Sequence, residues 1–89
     1  MSGVTHEKHL FLKWWDALAD GRKTFEVRST AENDYQVGDL LRLTPKWPEA
    51  MTVIGDDVLT FRITHVLIGD GSYGLAPGYA ILSLERVPD

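Results

Sequence analysis

GRKTFEVRS, residues 21–29, sets Lys23, Glu26 and Arg28 within six residues of one another and threads Phe25 and Val27 between them. From Thr24 onward the pattern has period two, the repeat of a β-strand. Phe25 and Val27 share one face; Thr24, Glu26 and Arg28 share the other. The apolar pair is expected to anchor the strand to the core and the polar set to be displayed opposite it. Same-face neighbours lie roughly 7 Å apart, within reach of a Glu-Arg pair. Such a pair on a solvated face contributes little. The same groups at the end of a sheet make a recognition site. Arginine forms bidentate hydrogen bonds, a carboxylate accepts from an exocyclic amine, and Lys23, at the start of the strand, reaches over the same end.

Upstream, Phe11, Trp14, Trp15 and Leu18 fall at i, i+3, i+4 and i+7, the spacing of an amphipathic helix. Gly21 follows as its terminating glycine. Trp14 and Trp15 diverge by about 100° on the helix, so one reaches the core and the other is available to edge a cleft. Residues 4–10 read as a short mixed strand. Downstream, VGDLLRLTP, VLTFRITHVLI and YAILSLERV read as further strands, the first following a Gly38-Asp39 turn. KWPEAMTVIGDD is irregular, and its Trp47 is either a lid or loop packing. GDGSYGLAPG, residues 69–78, is a glycine-rich connection without the Gly-Lys-Ser/Thr ending of a phosphate loop. It is either a wide hairpin loop or a flap over a cleft, with Tyr73 as its contact.

These elements predict a single α+β domain over residues 1–89. One N-terminal helix is followed by about five strands in a mostly antiparallel sheet curled into a small pseudo-barrel. No second helix of crossover length is present, so parallel βαβ winding is not expected.

The chain of 89 residues is too short for a second core. No apolar run is long enough to cross a membrane, and the N-terminus lacks a signal-peptide pattern. With no cysteine there are no disulfides, and a cytoplasmic location is expected. A net charge of −4 argues against strong non-specific binding to nucleic acid. The charge is uneven: residues 1–28 hold five basic and four acidic side chains, and residues 29–89 hold four and nine. An anion site therefore belongs in the first third. His6 and His9 form His-x-x-His, but no third ligand is clustered with them, so no metal site is expected. His6 remains a candidate lining residue. No cofactor is implied.

GRKTFEVR followed by YQVGDLLRL resembles the ASCH domain of the PUA-like superfamily. More narrowly, it is similar to a small ASCH-like family of unknown function frequent in phage and bacterial genomes. The shared pattern runs through His6-Glu7, Trp14-Trp15, Gly21 to Arg28, Tyr35 to Asp39, and Gly74-Leu75 with Gly78-Tyr79. The resemblance implies a pseudo-barrel with a cleft beside the helix, binding RNA or modified nucleosides. Its site would comprise Lys23, Thr24, Glu26, Arg28, His6, Trp14 and Tyr73. A few related small enzymes hydrolyse acylated cytidines with a lysine, a threonine three residues later, and a glutamate. Lys23 matches that lysine, but Glu26 stands at the threonine position and Thr24 is one strand step out of register. Lys23, Glu26 and Thr24 remain the catalytic candidates, while the departure favours binding over turnover. Relatives carry a lysine where this chain has His9, and an arginine where STAEND, residues 29–34, supplies none. Three functions follow: a binding module for RNA or a nucleotide, a small hydrolase of modified nucleosides or RNA, and a phage or bacterial protein-interaction factor.

Overall fold

The computed structural model describes residues 3–31, 33–47, 52–53 and 58–88. The elements are β1 (Thr5–Phe11), α1 (Leu12–Ala19), β2 (Phe25–Ser29), β3 (Leu40–Trp47), β4 (Thr52–Val53), β5 (Leu59–Ile68) and β6 (Tyr79–Arg86). One sheet runs in the order β1-β3-β5-β6-β2, with β4 beside β3. It curls into a half-barrel that carries, among the described residues, a single α-helix, a small α+β fold. Among the described residues no helix is long and apolar enough to cross a membrane.

Alternation builds the barrel interior. Leu41 and Leu43 of β3, Phe61 and Ile63 of β5, and Ala80, Leu82 and Leu84 of β6 point inward and are buried. Each fully buried leucine or isoleucine stabilises the fold by about 2 kcal/mol. In β5 the register shifts between Ile63 and His65. Thr64 is the extra residue of this bulge, which restores the inward alternation at Val66. The helix is only eight residues long, too short to persist alone. Trp15 and Leu18 hold it against the core, beside Leu10 of β1.

One expectation is corrected. β1 pairs parallel with β3, from Thr5↔Leu40 to Phe11↔Lys46, while every other pairing is antiparallel. A parallel pair needs a crossover of a dozen residues or more. Residues 12–39 supply it without a second helix, because α1 and β2 lie in series along the same connection.

Candidate functional site

Each charged residue of the 21–29 segment has a local reason for its position. At the end of α1, Gly21 takes φ +88, a left-handed conformation that favours glycine. The Lys23 amide donates back to the Ala17 carbonyl at 2.9 Å. Asp20 accepts from the Arg22 amide at 3.0 Å and from Arg22 Nε at 2.8 Å. These two donors, the main-chain one foremost, hold the Asp20 carboxyl below its ordinary pKa. The tight turn delivers Lys23 to the start of β2.

In β2 the expected faces are reversed. Glu26 is buried, only 4 % exposed, whereas Phe25 and Val27 are 45 % and 49 % exposed. Register is the cause. Glu26 stands opposite Leu82 and Arg28 opposite Ala80, both inward positions of β6, while Val27 stands opposite the outward Ile81. Period two decides which residues share a face but not which face is the core. Here Glu26 and Arg28 turn inward, with the Glu26 carboxylate paired to the cations on either side of it.

Lys23 Nζ donates to Glu26 Oε1 and, at 2.5 Å, to the Phe25 carbonyl. Arg28 Nε lies 3.2 Å from Glu26 Oε2, in ion-pair range but not aligned as a hydrogen bond. Arg28 Nη2 donates to the His9 carbonyl at 2.9 Å. One buried carboxylate is thus held between two partly buried cations, and the cluster carries a surplus of one positive charge.

β1 and β2 end the sheet order on opposite sides, and no ladder joins them. The cleft lies along this seam. One lobe, of about 300 Å³, is lined by Trp14, Lys23, Phe25, Glu26 and Val27. A smaller lobe of about 140 Å³ adjoins it through Trp14, Glu26 and Val27, and extends to His9, Phe11 and Arg28. The larger lobe is at the lower limit of small-ligand sites. Trp14 is 42 % exposed, stacked against Phe11 at 5.7 Å with the Lys13 ammonium 4.4 Å from its ring centroid. A wider depression of about 360 Å³ over β1 and β3 is less equipped for recognition. Four of its polar side chains pair with one another, Arg42 with Glu7 at 3.0 Å and His9 Nδ1 with Thr44 Oγ1 at 2.8 Å.

Four expected site residues meet at the cleft: Lys23, Glu26, Arg28 and Trp14. Three do not. Thr24 is exposed and lies outside both lobes, lining a further depression with Leu18, Asp20 and Phe61 that Lys23 also borders. His6 is buried on the inward face of β1, where Nε2 donates to Asp39 Oδ2 at 2.7 Å and the ring meets Tyr35 at 4.7 Å. On a strand, His6 and His9 take opposite faces, so His-x-x-His is not a chelating pair here. Tyr73 sits fully exposed on a 3-10 turn, Ser72–Gly74. The 69–78 connection follows the Ser29↔Tyr79 end of the β2-β6 ladder, whereas Lys23 precedes the Phe25↔Ser83 end. The loop is therefore a hairpin connection at the far end of β2 and not a flap over Lys23. The Trp47 side chain lies outside the described residues.

Sequence reasoning missed the main chain of His9 and Val27 and the rings of Phe11 and Phe25 as lining groups. Nothing in a linear pattern places β1 beside β2. The nearest signal is the unbroken run from β1 into the aromatic helix, which keeps Phe11 and Trp14 together.

Over residues 5–84 the chain matches the family described as Domain of unknown function (DUF3850), and it belongs to that family. No curated protein matches it.

Proposed function

We propose that this DUF3850 chain is a binding module for an unpaired nucleobase, presented as a nucleotide, a modified nucleoside or a short single-stranded RNA. The observation that carries the reading is the Lys23-Glu26-Arg28 cluster set in a cleft edged by a half-exposed tryptophan. A flat heterocycle stacks on an indole, and base-aromatic stacking contributes about 1–3 kcal/mol. The two cations supply donors to ring acceptors or a phosphate, and Glu26 draws an exocyclic amine. The resemblance to ASCH and PUA-like domains supports the same reading.

Hydrolysis has less support. Nucleophilic catalysis needs a hydroxyl beside an activating base, but Thr24 lies outside both lobes of the cleft. Lys23, the candidate base, is engaged with Glu26 and the Phe25 carbonyl. A protein-interaction role is the second reading. The ladders align the outward side chains of Val27, Ile81 and Leu67 across β2, β6 and β5, and Val27 and Leu67 are about half exposed.

An NMR titration at low salt with a short RNA pool and a panel of modified nucleosides tests the proposal. Shifts at Trp14, Lys23, Glu26 and Arg28 with the ligand intact are expected, and they should vanish in a Lys23→Ala/Arg28→Ala variant. Conversion of the ligand would make the chain an enzyme. Silence throughout would remove the nucleobase reading.

A further inference from the structure

Among the described residues, side chains engage the main chain along the seam at two points. In the β2-β6 ladder, Leu84 donates to the Thr24 carbonyl and the Thr30 amide donates to Gly78. Even-numbered residues of β2 therefore turn their N–H and C=O toward β6, and Phe25, Val27 and Ser29 turn theirs to the open edge. On β1, the Val4 carbonyl accepts from Leu40, so the odd-numbered residues, His9 among them, face the seam. The Phe25 carbonyl is taken by Lys23 and the His9 carbonyl by Arg28. Between these two bridges the Val27 N–H and C=O remain, a donor and an acceptor side by side at a residue lining both lobes.

We infer that the cleft reads an unpaired base by its Watson–Crick edge through the Val27 main chain. This rests on the nucleobase reading above and deepens it. An adjacent donor and acceptor is the feature every base presents on that edge: the amine and ring nitrogen of adenine or cytosine, and the ring N–H and carbonyl of uracil or guanine. Val27 in extended conformation offers the complementary pair, and Trp14, which lines both lobes with it, supplies the platform. The site is accordingly tolerant of base identity and closed to a base already paired in a duplex. Strand addition by a peptide uses the same groups. However, Lys23 and Arg28 bracket only Phe25 to Arg28, about 10 Å of strand, which leaves room for a ring and not for a ladder.

Titrations of uridine 5′-monophosphate and its 3-methyl derivative into labelled protein test the inference, followed by the amide of Val27. The parent should move that amide downfield, and the methylated base should bind at least about tenfold more weakly, the value of one lost hydrogen bond. Val27→Pro should weaken the parent to a similar degree. Its missing N–H is not in the β6 ladder, and edge strands tolerate proline at such positions. The ligand pair keeps the test valid if that variant does not fold. Equal binding of both nucleotides, with shifts at Trp14 and Lys23 but not at Val27, would overturn the inference and leave the nucleobase reading standing. No response to either nucleotide would count against both. Val27 shifts produced by extended peptides alone would replace the base with a peptide strand.

Discussion

Arg28 and His9 bridge the two edges of the half-barrel where no ladder does. The guanidinium of one edge strand donates at 2.9 Å to the main-chain carbonyl of the other. It does so from a position only partly exposed, with Glu26 Oε2 3.2 Å from its Nε. This side chain thus ties the two edge strands together beside the cleft. Arg28→Met keeps the aliphatic stem and removes the donors. It should lower stability by about 1–2 kcal/mol. For a domain of this size that corresponds to a fall in Tm of roughly 4–16 °C. Thermal unfolding followed by circular dichroism reads this, and an unchanged midpoint would mean that the bridge is incidental.

Glu26 is the sole acidic member of the cluster, and it is the most buried. Glu26→Gln preserves its shape but leaves Lys23 and Arg28 facing each other without a counter-charge. A loss of about 2–3 kcal/mol is expected, since removing one partner strands the others. Replacing Lys23, Glu26 and Arg28 together by Met should recover much of that loss, because well-packed apolar residues often match a buried ion cluster. Ligand binding should not return with it. Chemical denaturation and titration on the same variants separate the two. A triple variant that binds as well as the wild type would dissociate the cluster from function.

The order of the main elements and the helix face were legible because period and punctuation are local. Trp15 and Leu18 face the core as their spacing implies, and Gly21 ends the helix as a left-handed glycine. The site was legible in membership but not in orientation. Alternation grouped Thr24, Glu26 and Arg28, yet the ordinary preference for burying Phe25 and Val27 lost to the register imposed by β6. That preference fails where charges are mutually paired. The parallel β1-β3 pair and the His6-Asp39 contact join residues more than thirty positions apart. No local period encodes such contacts.

Gly69 probes the connection that the sequence left as either a wide hairpin loop or a flap over the cleft. A Cβ there would lie 2.2 Å from the Ala76 carbonyl oxygen and 2.9 Å from that of Tyr79, both main chain. Gly69→Ala must therefore move the loop base, and it should cost at least about 2 kcal/mol. Because the loop sits beyond the far end of β2, ligand affinity measured at a temperature where the variant is folded should be unchanged. A selective loss of affinity would return the loop to the site.

Asp39 is the hub of the strand turn. Oδ2 accepts from the Gln36 amide at 3.1 Å and from His6 at 2.7 Å, and the residue is fully buried. Asp39→Ala removes the acceptor of both bonds and leaves a buried imidazole without its carboxylate partner. A loss of about 3 kcal/mol is expected. His6→Phe should restore little, because the Gln36 amide stays unsatisfied. Denaturant midpoints of the two single variants and the double variant give the coupling. Strict additivity would mean that His6 and Asp39 do not act as a pair.

Salt separates reading of the base from capture of the backbone. Two cations line the cleft, and Glu26 offsets one of them. The chain as a whole is acidic, with a net charge of −4, which disfavours extensive phosphate neutralisation. For single strands the logarithm of affinity falls with the logarithm of salt concentration by about 0.7 per neutralised phosphate. One or two phosphates therefore give a slope between about −0.7 and −1.4. The slope should stay the same as an oligonucleotide is lengthened past the few residues that the cleft can touch. Isothermal titration across a series of salt concentrations measures it. A slope of about −3 or steeper would require phosphate contacts that this cleft does not contain, and it would move the binding surface elsewhere on the molecule.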